Sequence, residues 1–217
     1  MSKKLFLFDL DGTLINSKED IANSVNLLFR KFGIRKKSLE EITGFIGQGV
    51  ISLLEKSFPH ANETEIKTVF LPLFEKIYSE NMTKKTKLYL GVADIFKKIN
   101  PKNQKVGVIT HKPKCFSVRI LQNFGIYEHL FMCLGGDELQ RKKPHPEGIF
   151  RIMEAAKVSP QETVFMGDSG EDMEAGKAAS VTTVAALYGF RPAEELLRFK
   201  PDYLASKFRD FFKFKLI

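Results

Sequence analysis

Apolar residues in this chain gather into short unbroken runs, separated by longer stretches with helical spacing. The runs "LFLF" at Leu5–Phe8, "KVGVIT", "FMCL", "TVFMG" and "VTTVAAL" predict strands. The first is continuously apolar rather than alternating, which predicts a strand buried on both faces, as in a parallel sheet covered by helices. Between the runs, "PEGIFRIMEAAK" and "EDMEAGKAA" repeat apolar positions at helical intervals. Strand and helix alternating in this way predict an α/β fold, a doubly wound parallel sheet with helices on both faces.

The alternation is interrupted once. Far more chain lies between the first strand and "KVGVIT" than one crossover requires. Here Ile21, Val25, Leu28, Phe29 and Phe32 form an apolar stripe, and Ser17 with Asp20 and Ser38 with Glu41 have capping-box spacing. The pattern predicts a helical domain over 17–86 inserted into an α/β core built from 1–16 and 87–217. Its hinges are expected near Asn16 and Ser17 and within "TKKTK". There is no internal repeat or low-complexity segment.

Polar residues recur where the apolar strands stop. Asp9 follows the first run directly, and Asp11 lies two residues on, so in an extended chain their side chains share one side. Neighbouring carboxylates repel, and call for a cation or a shared proton. Asp11–Gly12 is also a hairpin signal, a reading that accounts for Asp11 but leaves Asp9 unexplained. Thr110 ends "KVGVIT", Asp168 ends "TVFMG", and Lys143 lies in the loop after "FMCL". At the carboxyl ends of an open α/β sheet such residues converge on one crevice.

Each has an ordinary alternative. Thr110 is common strand usage, Lys143 sits in a charge run with Arg141 and Lys142, and Asp168 and Asp172 suit a helix start. Taken together they suit phosphoryl transfer through an aspartyl-phosphate. That chemistry needs a carboxylate nucleophile, hard oxygen ligands for Mg²⁺, polar groups on the phosphoryl oxygens and a second carboxylate as acid/base. His111 and His145 have no ligand-type cluster around them and are not read as metal ligands.

Composition narrows the picture. With 217 residues, 43% of them apolar and 20 Phe, the chain has ample material for a packed core. The net charge of +8 is spread over scattered lysines without interleaved aromatics, which favours a solvated surface over a nucleic-acid one and suits attraction of a small anion. Cys115 and Cys133 show no framework spacing, pointing to a reduced compartment. The apolar run after Lys3 and Lys4 stops at Asp9, and no stretch is long enough to span a bilayer, so a cytoplasmic protein without membrane attachment is expected. The Phe residues of the terminal "KFRDFFKFKLI" are expected to cover the core rather than to anchor in a membrane. Nothing in the pattern specifies an oligomeric state.

"DLDGT", "VITHKP", "KKPHPE" and "GDSGED" resemble, in order, the four motifs of haloacid dehalogenase superfamily phosphatases. "FDLDGTLINSKEDIANSVN", "FIGQGV", "LGGDELQRKKPHPEG", "FMGDSGEDMEAGKAA" and "LYGFRP" extend the resemblance, toward the phosphoglycolate phosphatase branch, over nearly the whole chain. It implies a Rossmann-like core with an inserted α-helical cap. It also implies that Asp9 is the nucleophile and an Mg²⁺ ligand, and that Asp11 is the acid/base whose backbone carbonyl meets the same ion. Thr110 and His111 would bind the phosphate, Lys143 neutralise it, Asp168 bind Mg²⁺ and Asp172 support the metal's water shell. "TGFIGQGV", with Gly44, Gly47 and Gly49, would be the cap's specificity loop, although these glycines also serve as helix breakers.

The implied activity is Mg²⁺-dependent hydrolysis of a small phosphorylated metabolite, with 2-phosphoglycolate as the first candidate. A phosphomutase of the β-phosphoglucomutase type, or a phospho-ligand sensor on the same scaffold, are the alternatives. Three positions depart from the resemblance: Asn16, Leu90 and His111 stand where aspartate, proline and asparagine are usual. None removes a catalytic carboxylate, but His111 touches the phosphate pocket.

Overall fold

A computed structural model describes residues 2–99 and 103–216. In chain order its strands are β1 (Leu5–Phe8), β2 (Ile15–Asn16), β3 (Lys87–Leu88), β4 (Lys105–Ile109), β5 (Met132–Leu134), β6 (Thr163–Gly167), β7 (Thr182–Ala186) and β8 (Tyr203–Ala205). The helices are α1 (Lys18–Lys31), α2 (Leu39–Thr43), α3 (Gly49–Ser57), α4 (Glu63–Glu65), α5 (Leu71–Asn81), α6 (Val92–Lys98), α7 (Lys114–Asn123), α8 (Glu147–Ala156), α9 (Gly170–Ala178) and α10 (Ala193–Leu197).

Six strands form one sheet in the order β5-β4-β1-β6-β7-β8, with every neighbouring pair parallel. All four residues of β1 are buried, because the strand lies at the centre with helices over both faces. Its side chains alternate between two cores. Phe6 and Phe8 join the cluster that holds Phe208 and Phe211, while Leu5 and Leu7 pack with Ile149 and Ile152 of α8. The Phe211 ring centroid lies 5.9 Å from that of Phe6 and 5.5 Å from that of Phe8. The terminal Phe segment thus covers the sheet; its last residue, Ile217, lies outside the described residues.

Helices α1 to α5 all fall between β2 and β3, which pair antiparallel through Ile15 with Leu88 and Asn16 with Lys87. The chain therefore leaves the sheet and returns to it at one place. Ile21, Val25, Leu28 and Phe29 of α1 are buried as the stripe predicts, whereas Phe32 is 41% exposed and lies against Phe58 and Phe70. Among the described residues, no helix is long and apolar enough to cross a membrane.

The Ser38–Glu41 capping box forms, with Glu41 N–H donating to Ser38 Oγ at 3.1 Å and Ser38 N–H to Glu41 Oε2 at 2.8 Å. The Ser17–Asp20 box does not. Ser17 occupies the N-cap of α1, but its hydroxyl donates to Asp11 Oδ1 instead. Asp20, 1% exposed, accepts from the backbone N–H groups of Lys85 at 2.9 Å and Thr86 at 2.7 Å and from the Thr86 hydroxyl at 2.8 Å. A buried carboxylate has to be fully hydrogen-bonded, and the returning linker offers amides that no strand or helix uses. One side chain in the first turn of α1 thereby ties that helix to the returning linker.

Asp20→Ala strands those donors in a buried place, and is expected to lower the unfolding free energy by about 2–4 kcal/mol. Urea denaturation measures the loss, and an unchanged midpoint would show that the tie carries no stability.

Candidate active site

The order of strands reverses at β1. The chain runs outward through β4 and β5, then crosses back to β6 on the other side. Ligand crevices open at such points, outside the carboxyl ends of the strands. Asp9, Thr110 and Asp168 are the residues that follow β1, β4 and β6. Backbone hydrogen bonding continues past the strand ends, through Asp9 N–H to Met166 O at 2.9 Å and Thr110 N–H to Leu134 O at 3.0 Å, so both residues are held in register.

Beyond Asp9 the chain turns sharply. Gly12 has φ +86° and donates its N–H to Ile15 O at 2.8 Å; a Cβ there would lie 2.0 Å from Asp168 Oδ2. Only glycine both adopts this backbone and leaves room for the carboxylate. The Asp11–Gly12 signal is therefore a real turn, but β2 beyond it pairs with β3 rather than with β1.

Asp9, Asp168 and Asp172 are buried and present ligand oxygens within 4.8 Å of one another. The Lys143 ammonium sits between two of them, 2.6 Å from Asp9 Oδ1 and 2.6 Å from Asp172 Oδ1, with Ile109 O at 3.2 Å. Asp172 also fulfils the helix-start reading: its Oδ2 accepts from Ser169 N–H at 3.0 Å and Ser169 Oγ at 2.6 Å at the head of α9. Asp168 Oδ2 accepts from Phe190 N–H at 2.7 Å.

Burial raises the Asp9 carboxyl to about 7; Lys143 opposes this, and the Asp172 charge adds to it. Burial, with Asp9 and Asp172 nearby, also lifts Asp168 well above the carboxylate range. Burial opposes the Lys143 charge, yet Asp172 and Asp9 outweigh it and hold the ammonium above its usual value.

A second buried cation stands across the site. Lys112 Nζ lies 2.9 Å from Asp11 Oδ2 and 2.9 Å from the Tyr78 hydroxyl, while the Ser17 hydroxyl meets Asp11 Oδ1. Tyr78 comes from α5 and its ring is packed against Phe74 and Phe116. Sequence reasoning assigns neither residue a role: Lys112 lies within "VITHKP" beside Thr110 and His111, and Tyr78 looks like any aromatic on an apolar helix face.

His111 faces the inserted helices, with Nδ1 2.7 Å from Gly47 O and Nε2 3.1 Å from Lys143 O. Burial and the Lys143 charge lower its pKa to about 4, so the ring is neutral, and we assign its N–H to Nδ1 on the shorter contact. Arg191 reaches the same loop, donating to Ile46 O at 2.6 Å and Gly44 O at 3.2 Å, and Gln48 donates to Glu171 at 3.0 Å. Arg191 is a further residue that no local pattern singles out.

Asp9, Asp11, Thr110, His111, Lys143, Asp168, Asp172, Gly47 and Gly49 all line one cleft, together with Lys112, Tyr78 and Arg191. Gly44 does not. Its backbone is right-handed helical at φ −61°, a conformation that does not call for glycine, and it meets Arg191 through its carbonyl. Gly47 and Gly49 have φ +127° and +87°, and their open α-carbons face Arg191 and His111, so they let the loop lie close against the sheet side of the cleft.

A family model described as haloacid dehalogenase-like hydrolase matches residues 6–186, and the chain belongs to that family. Within it, the chain is similar to proteins named phosphoglycolate phosphatase from Escherichia coli (strain K12) and Salmonella choleraesuis (strain SC-B67). Each is 30% identical over 94% of this chain and 88% of the relative. The crystal structure of a predicted phosphoglycolate phosphatase from Haemophilus somnus 129pt superposes with a TM-score of 0.92 at 29% identity, covering 99% of this chain and 98% of that one. A putative haloacid dehalogenase-like hydrolase from Bacteroides fragilis shares the fold at a TM-score of 0.88.

The raised Asp9 value predicts how a divalent cation would bind if this carboxylate cluster holds one. Below pH about 7 Asp9 holds a proton that the ion must displace, so affinity falls as pH falls through that value. Thermal melts with and without Mg²⁺ are expected to show greater stabilisation at pH 8 than at pH 6; an equal shift would remove Asp9 from the ion's site.

Proposed function

We propose that the chain is an Mg²⁺-dependent phosphatase that hydrolyses a small phosphate monoester through an aspartyl-phosphate on Asp9. The observation that carries this reading is a buried carboxylate cluster, Asp9, Asp168 and Asp172, in which Asp168 is left without a cation. Asp9, Asp11, Asp168 and Asp172 line the cleft opposite two ammonium groups, Lys143 and Lys112, whose contacts go to three of these carboxylates, to Tyr78 and to Ile109 O. Among the described residues no cation pairs with Asp168, and burial, with the neighbouring Asp9 and Asp172, holds its carboxyl well above the usual range, as expected of a buried ligand that a further cation would stabilise in the ionised form. The donors are all hard oxygens, which suit Mg²⁺. Asp9 and Asp168 would hold the ion with the Asp11 carbonyl, and Asp172 would orient its waters. When bound, it supplies charge that lets an anionic phosphate approach a carboxylate.

The remaining steps belong to the chain. Lys143 donates to Asp9 Oδ1, leaving Oδ2 to attack phosphorus. The Thr110 hydroxyl and Lys143 stabilise the transferring oxygens. Asp11 protonates the departing ester oxygen and then takes a proton from the water that cleaves the phosphoenzyme. The inserted helices act as a cap over 17–86, with the loop at Gly47 and Gly49 excluding bulk water. Similarity to the phosphoglycolate phosphatases makes 2-phosphoglycolate the first substrate to test. Release of inorganic phosphate separates this reading from a phosphomutase, and turnover separates it from a sensor.

The test is phosphate release from a panel of phosphate esters, with Mg²⁺ and with chelator. Asp9→Asn is expected to reduce turnover at least ~10³-fold while leaving the melting temperature near or above that of the unaltered protein, because a buried charge is removed. Substantial residual activity would exclude the aspartyl-phosphate route, and full activity in chelator would exclude the metal.

A further inference from the structure

We infer that Lys112, steadied by Tyr78 from the inserted helices, selects substrates bearing a carboxylate two bonds from the ester oxygen; the inference rests on the phosphatase reading above. Three cations line the cleft: Lys112, Lys143 and Arg191. Lys143 is held by Asp9, Asp172 and Ile109 O, at the place assigned above to the phosphoryl group. Arg191 is turned to the carbonyls of Gly44 and Ile46. Among the described residues, Lys112 donates only to Asp11 and Tyr78, so one of its three N–H groups is uncommitted.

Its position gives that donor a meaning. Lys112 Nζ is 2.9 Å from the oxygen of Asp11, the carboxyl proposed to protonate the leaving group. A group that hydrogen-bonds Asp11 through the ester oxygen therefore carries its next atoms past the ammonium. The surroundings there are aromatic, with Phe74 and Phe116 packed on Tyr78, and the ammonium lies 4.8 Å from the Tyr78 ring centroid. A carboxylate in such a place is tolerated only opposite a cation, and a neutral hydroxyl-rich chain finds few partners. The class of substrate is thus a phosphorylated small hydroxy acid, of which 2-phosphoglycolate is the smallest, rather than a sugar phosphate.

Lys112 has a competing role as a residue that merely positions Asp11. The two are separated by comparing kcat/KM for 2-phosphoglycolate and for phenyl phosphate, with Mg²⁺, in the unaltered protein, Lys112→Met and Lys112→Arg. Selection predicts that Lys112→Met lowers the ratio of the two by roughly 10–100-fold, mostly through KM for the carboxylate substrate, with Lys112→Arg recovering part of it. Equal losses on both substrates would assign Lys112 to Asp11 and overturn the inference.

A measurement on the unaltered protein holds even if the variants fail to fold. The neutral amide of 2-phosphoglycolate is expected to be turned over with a kcat/KM roughly 10–100-fold below that of the acid, and equal values overturn the inference. Absence of Mg²⁺-dependent phosphate release from every ester would overturn the phosphatase reading and the inference together. Activity with an unchanged ratio removes the inference alone.

Discussion

The ammonium of Lys143, wedged between the buried carboxylates of Asp9 and Asp172, is the contact on which the arrangement of the strand ends depends. Parallel strands deliver their next residues to one edge, and here β1 and β6 deliver carboxylates side by side. Without a cation, their repulsion and desolvation would favour protonation or a parting of the loops. Lys143 reaches Asp9 and Asp172 from the loop after β5, so the two halves of the sheet meet in one charge cluster. The same cluster leaves Asp168 under-compensated. A site built this way holds electrostatic repulsion that an incoming ion relieves.

At the loop the inserted helices meet this cluster through polar contacts, while beside Tyr78 they share an apolar cluster with Phe116 of α7. Gly47, Ile46 and Gly44 present carbonyl oxygens, and His111 and Arg191 answer with N–H groups. Such contacts exchange readily for water and cost little to break. His111 is the position that departs from the usual asparagine, and its second ring nitrogen lies beside the carbonyl of Lys143. The departure therefore falls on the junction between loop and charge cluster, not on a group that holds the carboxylates.

Much of this is legible in the residues. Strands β1, β4, β5, β6 and β7 follow from the apolar runs, because a short run bounded by polar residues, in a chain whose intervening stretches have helical periods, is hard to bury except as a strand. β8 carries no such signal: three residues with Leu204 exposed on a sheet edge show no period to read. Asp9 and Asp168 declare themselves by position, directly after strand ends, whereas Lys143, in a run with Arg141 and Lys142, is singled out only by the resemblance. Lys112, Tyr78 and Arg191 are not singled out, since nothing local distinguishes a lysine beside Thr110 and His111 or an aromatic on a helix from ordinary surface and core. Ser17 and Asp20 have capping spacing but are drawn to Asp11 and to the returning linker, where tertiary partners prevail over a local one. Gly44 lies outside the cleft lining, as a glycine in a right-handed helical backbone that does not call for one.

The antiparallel pairing of β2 with β3 has a consequence for how this chain can change. Because exit and re-entry lie side by side and are sealed by one short pair of strands, the five helices between them behave as a cassette plugged into a socket. Replacing that cassette by another of different size leaves the order of the six-stranded sheet and the spacing of Asp9, Thr110 and Asp168 untouched. Catalytic chemistry and molecular taste can then diverge independently, on one scaffold, by exchange of a single contiguous stretch.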